Sequence, residues 1–170
     1  MKRLVIIVLS LLLLITNDLL AQKGMKISGK ASQDLPDIIY RTGWAVVIGI
    51  NKYPNVPQLS YAVEDADAVA DIIKSKFGFE ESKVKVLKDA QATRQGIINT
   101  LNNLTNPKNV NDNDCVLVYF SGHGQTVPLP KSGGGGDMGY LVPYDAKINL
   151  SEESNIAEYN EYCISMNVHL

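Results

Sequence analysis

Two runs constrain this chain more than anything else in it: "WAVVIGI", Trp44 to Ile50, and "CVLVYF", Cys115 to Phe120. Each is continuously apolar and rich in β-branched or aromatic residues, the pattern of a strand covered on both faces. The segments between them carry the other period. Val63, Ala66, Val69, Ala70, Ile73 and Phe77 recur at helical spacing, with Gly78 as a stop. Ile97, Ile98, Leu101 and Leu104 do the same after Thr93, a capping residue, and Asn106 and Pro107 end that helix. "KVKVLK" (Lys83 to Lys88) sits between the helices and alternates charged with aliphatic residues, as an edge strand does. Strands alternating with helices predict an α/β, three-layer sandwich with a mostly parallel sheet and right-handed crossovers. "GYLVPYDA" (Gly139 to Ala146) adds a short fourth extended segment. "NKYPNVPQLS" is a loop by its prolines and asparagines, and "SGGGG" (Ser132 to Gly136) is a flexible one.

The amino terminus reads differently. Lys2 and Arg3 precede an apolar run from Leu4 to Ile15 broken only by Ser10, and the small residue Ala21 follows. That is the pattern of a signal peptide over residues 1–21, shorter than the roughly 20 apolar residues of a membrane span. Export to the periplasm or the medium is therefore expected, with an uncleaved membrane anchor as the alternative. Residues 22–43, polar and interrupted by Pro36, suit a linker or a loosely attached segment. What remains, residues 44–170, is one ordinary domain. A formal net charge of −2 with both signs interspersed gives no reason to expect nucleic acid or an anionic membrane surface as a partner.

In open parallel sheets ligands bind beyond the carboxyl ends of the strands, and His123 lies just past the end of "CVLVYF". Gly122 and Gly124 flank it, and glycines there let the backbone turn and approach a substrate that a side chain would hold off. A glycine turn whose histidine merely caps the sheet fits the same residues.

The blocks "WAVVIGINKY", "LSYAVEDADAVADII", "VYFSGHG" and "GYLVPYDA" resemble, in order and spacing, the caspase and metacaspase family of cysteine peptidases. The resemblance runs from Trp44 to the carboxyl terminus. It implies that His123 is the general acid/base of a Cys-His dyad and that the backbone N–H of Gly124 helps form the oxyanion hole. Such a centre suits the chemistry: a thiolate attacks the peptide carbonyl, fixed N–H donors hold the oxyanion, and an imidazole protonates the leaving amine. Asp65 and Ser121 resemble residues of the first specificity pocket of metacaspases, which implies Arg or Lys before the scissile bond. On its residue type alone Asp65 is equally a first-turn carboxylate favoured by the helix dipole. Peptides or proteins would be the substrates.

The pattern also departs from the family. The nucleophile is expected in an Asp-x-Cys context at the end of a later strand, and this chain finishes at "YCISMNVHL", where "ISM" resembles the start of the helix before that strand. The expectation is an incomplete domain, truncated before the nucleophile-bearing strand and inactive by itself. Its third strand would have an open edge that a partner chain could fill. Cys115 begins that strand and lies up to about 26 Å from His123 at about 3.3 Å per residue. Cys163 sits in a polar segment of unfixed path, and His169 has no supporting context. The competing reading is a catalytically inactive peptide-binding or assembly module. No cofactor is expected; calcium, used by some metacaspases through clustered acids, has only Asp137 and Asp145 near the glycine loop in its favour.

Overall fold

The computed structural model describes residues 3–8, 42–129, 135–150 and 156–166, and both apolar runs are neighbours in one sheet. In chain order the first elements are β1 (Arg3–Val8), β2 (Gly43–Gly49), α1 (Ala62–Phe77), β3 (Val84–Lys88), α2 (Arg94–Thr105) and β4 (Cys115–Ser121). The sheet order is β1-β4-β2-β3 with every pairing parallel, and β2 matches β4 from Gly43↔Cys115 to Gly49↔Ser121. "KVKVLK" therefore sits at an edge, as its alternation predicts.

Side chains of the central strands leave the sheet on two sides. Ala45, Val47 and Tyr119 meet Ala66, Ala70 and Ile73 of α1 on one face. Val46, Ile48, Leu87 and Phe120 meet Ile97 of α2 and a second cluster on the other. Burying each such aliphatic side chain contributes roughly 1.5–3 kcal/mol, so the continuous apolar runs follow from the two covers. Helix α1 lies so close to β2 that a Cβ on Gly49 would stand 2.5 Å from the Ala62 carbonyl oxygen and 2.7 Å from Ala66 Cβ.

Gly78 ends α1 in the left-handed region, φ 72°, and its N–H and that of Phe79 both reach the Ile73 carbonyl. The turn changes which phenylalanine is buried. Phe77, expected on the core face, is 59% exposed, whereas Phe79 is buried against Gly43. Thr93 caps α2 as expected, its Oγ1 accepting the Gly96 N–H at 3.1 Å.

The open edge expected on β4 is instead occupied by β1, paired in parallel from Arg3↔Cys115 to Val8↔Phe120. The rest of the segment expected as a leader, the expected linker up to Arg41, and His169 lie outside the described residues. No helix among the described residues is long and apolar enough to cross a membrane.

Beyond β4 the chain leaves the parallel sheet. β5 (Gly124–Pro128), β6 (Asp137–Leu141) and β7 (Ile164–Ser165) form a separate antiparallel sheet in the order β5-β6-β7, with α3 (Ile156–Tyr162) before β7. "GYLVPYDA" begins in β6 and so does not extend the parallel sheet. "ISM", expected to start a helix, is a strand and turn whose Met166 N–H donates to the Gly139 carbonyl at 2.9 Å. Pairing with β6 claims those backbone groups before a helix can. Val127, Tyr140, Val142, Tyr159 and Cys163 complete the core on the Ile48 and Phe120 side.

Candidate active site

His123 is at the junction of the two sheets, between the last residue of β4 and the first of β5. The Val142 N–H donates to its carbonyl at 3.0 Å, which ties the turn to the segment after β6. Its own N–H donates at 3.0 Å to the hydroxyl of Tyr53, and that hydroxyl donates in turn to the Val142 carbonyl at 3.0 Å. Burial pushes the Tyr53 phenol well above its ordinary pKa, so it keeps the proton this second bond needs. The two rings pack with centroids 5.0 Å apart.

The ring has one further partner. Nε2 lies 2.7 Å from the carbonyl oxygen of Pro57. A carbonyl can only accept, so Nε2 carries the hydrogen, and in the neutral ring the lone pair is on Nδ1. Nδ1 is thus the nitrogen able to take a proton from a thiol and return it to a leaving amine.

Tyr53 and Pro57 belong to the loop after β2, which is itself pinned. The Leu59 N–H donates to the Asn51 carbonyl at 2.9 Å. Asn51 Oδ1 accepts from the N–H groups of Ala62 and Val63 at 2.7 and 3.3 Å, capping α1 where the adjacent Tyr61 provides no side-chain cap. The Ile50 N–H donates to the Ser121 carbonyl at 3.0 Å and joins the ends of β2 and β4.

The glycines around His123 differ. A Cβ on Gly122 would stand 2.6 Å from the Tyr53 hydroxyl and 2.9 Å from the Phe120 ring, so only glycine fits. At Gly124 the nearest atom to such a Cβ would be the Tyr140 carbonyl oxygen at 3.6 Å, an ordinary contact. Within the protein itself, then, only position 122 is closed to a side chain.

Asp65 of α1 and Ser121 at the end of β4 come together. Ser121 Oγ donates to Asp65 Oδ2 at 3.5 Å, and the hydroxyl of Tyr119 is within reach of Ser121. Asp65 is exposed in the first turn of α1, and Ser121 is buried. The two cysteines differ in setting. Cys115 opens β4 at the opposite end of the sheet from His123. Cys163, at the end of α3, is 1% exposed, and burial pushes its thiol up to about 12. Such a thiol holds its proton at neutral pH, and the thiolate is the nucleophilic form.

Among the described residues no group of three or more His, Cys, Asp or Glu converges as metal ligands would. Asp145 Oδ1 is engaged by the Arg94 N–H at 2.8 Å, at the start of α2. Asp137 is exposed at the far end of β6, paired with Pro128.

The sequence analysis named His123, and through the resemblance Asp65 and Ser121, but not Tyr53, Asn51 or Pro57, which the structure places around the imidazole and its loop. The position of "NKYP" just past the carboxyl end of β2 is the signal that could have found Tyr53. A backbone carbonyl such as that of Pro57 leaves no mark in residue type.

The described residues thus form a parallel α/β sandwich with a tethered imidazole at the carboxyl edge of its sheet. The match of the family model "Caspase domain" to residues 42–159 makes the lineage plain: the chain belongs to the caspase-domain peptidases, a family of cysteine-type peptidases. It is 33% identical to metacaspase-7 of Arabidopsis thaliana over 109 residues, covering 59% of this chain and 26% of that protein. To metacaspase-9 of the same plant it is 31% identical over 94 residues, 52% of this chain and 29% of that one. Metacaspase-1B of Aspergillus niger is 30% identical over 88 residues, 49% of this chain and 20% of that protein. The chain thus spans between a fifth and a third of the length of these relatives.

Proposed function

We propose that this chain carries the histidine half of a cysteine endopeptidase centre. His123 Nδ1 takes the proton of a cysteine thiol, the thiolate attacks the peptide carbonyl, and the same nitrogen returns the proton to the leaving amine. The Gly124 N–H contributes to holding the oxyanion. The observation that carries this reading is the double tether of His123, its N–H on Tyr53 and its Nε2 on Pro57. A histidine that merely capped the sheet would need no fixed ring.

The thiol comes from outside the described residues, because Cys163 is buried and protonated and Cys115 is at the wrong end of β4. Asp65 with Ser121 forms the floor of a pocket for Arg or Lys before the scissile bond, the carboxylate pairing with the substrate cation. The same placement of the cysteines supports the second reading, a peptide-binding or assembly module without catalysis. The leader pattern of residues 1–21 supports export. Its removal would open the β4 edge to a strand from elsewhere in the protein or from a partner chain.

The test is expression of the natural product that includes this segment with whatever its gene encodes beyond Leu170, assayed on Arg, Lys and Asp reporter peptides. Cleavage lost by at least about 10³-fold in His123→Ala, with the fold intact, is the expected result. Peptide binding without cleavage would establish the second reading. The 170-residue chain alone is expected to be inactive on all three peptides. Turnover by it that vanished in Cys163→Ala would make Cys163 the nucleophile.

A further inference from the structure

Asp89 lies outside the site just described, yet it holds the loop that holds His123. Among the described residues it is the one non-glycine with a positive φ, 43°, a conformation that aspartate tolerates better than most side chains. That turn follows β3 directly and sends the carboxylate back over the end of β2. There Oδ1 accepts the N–H of Asn51 at 2.8 Å and of Lys52 at 2.9 Å. The ladder between β2 and β3 ends at Gly49↔Lys88, so the carboxylate takes over where backbone pairing stops. Bonds from N–H groups to an ionised acceptor are the stronger kind. The chain held there runs on through Tyr53 and Pro57 and is closed by the bond from Leu59 to the Asn51 carbonyl.

We infer that Asp89 is a positioning residue for His123: by fixing the backbone at Asn51 and Lys52 it sets the Pro57 carbonyl and the Tyr53 hydroxyl at the distances that orient the imidazole. The inference rests on His123 being the acid/base group. The plain alternative is that Asp89 only terminates β3 and caps the next turn.

The experiment needs no catalysis. The 170-residue chain has two histidines, so a His169→Gln background leaves one imidazole for NMR. A ring Nε2–H bonded to a carbonyl exchanges slowly with water and gives an observable downfield proton resonance. Asp89→Gly removes the carboxylate while relieving the positive φ. Amide exchange at Asn51 and Lys52 should then accelerate at least about tenfold, as for loss of a charge-assisted bond. The His123 amide should accelerate by a similar factor and the ring Nε2–H signal should broaden away, with the Val118 and Phe120 amides unchanged. Asp89→Asn, whose amide oxygen can meet both N–H groups, should keep the ring signal. Asp89→Glu, which retains the charge but displaces the oxygen by one methylene, should weaken it, and provides the answer should the glycine variant fail to fold. An unaltered ring signal and His123 amide in a folded Gly or Glu variant would overturn the inference and leave Asp89 a turn cap. An Asn variant that lost the ring signal would overturn it as well. Neither outcome touches the chemical role of His123, which is read from activity in His123→Ala.

Discussion

Replacing Tyr53 with phenylalanine removes one oxygen from the candidate site and nothing else. The ring stays, so no cavity opens, and the loss is confined to two hydrogen bonds: the His123 N–H at 3.0 Å and the Val142 carbonyl at 3.0 Å. Val142 is fully buried, and its carbonyl, left without this partner, should cost about 1–3 kcal/mol. His123 is half-buried, so water can replace the lost acceptor for its N–H at a cost below about 1 kcal/mol. Together the variant should lose roughly 1–4 kcal/mol, a sizeable part of the roughly 5–15 kcal/mol typical of a domain. Urea unfolding followed by circular dichroism would register this as a midpoint lowered by about 1 M with an unchanged slope. A second variant sharpens the argument, because the same oxygen would stand 2.6 Å from a Cβ at position 122. Gly122→Ala should therefore cost less in the Tyr53→Phe background than alone, a coupling of at least about 0.5 kcal/mol in a double-mutant cycle. A Tyr53→Phe loss under about 0.5 kcal/mol, or strict additivity with Gly122→Ala, would refute the bridging role.

The two glycines of the motif should part company: Gly122→Ala should lose on the order of 1–3 kcal/mol by overpacking against Tyr53 and Phe120, while Gly124→Ala should stay within about 1 kcal/mol, both read by urea unfolding. The Cys163 thiol, raised from 9.0 to about 12 by burial, stays protonated in the folded chain while the unfolded chain ionises. Stability from this group is therefore complete below about pH 9 and falls as pH rises toward 12, by at most about 1.4 kcal/mol per pH unit; Cys163→Ala should flatten that decline, and parallel curves would contradict the assignment. In an active peptidase assembled as proposed above, Asp65→Ala should weaken kcat/KM on Arg peptides by the equivalent of about 1.5–3 kcal/mol, and an unchanged Arg preference would remove Asp65 from the pocket.

The sequence by itself determined the layers. "WAVVIGI" and "CVLVYF" are short, continuously apolar and β-branched, as doubly covered strands are, and the two helical periods between them point to a parallel sheet, because periodicity is a local consequence of burial. It also marked His123, since a histidine between glycines at a strand's carboxyl end is a local pattern. Where the local signal was short or shared, the tertiary structure decided. Gly78 made Phe79 rather than Phe77 the buried ring, pairing with β6 turned "ISM" into a strand, and the free side of β4 took Arg3–Val8 from a leader-like segment. The orientation of the imidazole was beyond sequence for a deeper reason. It depends on a carbonyl at Pro57 and a hydroxyl at Tyr53, 66 and 70 residues away along the chain. Every residue has a carbonyl, and only the folded loop, held at Asn51 and by Asp89, brings that one within 2.7 Å of the ring.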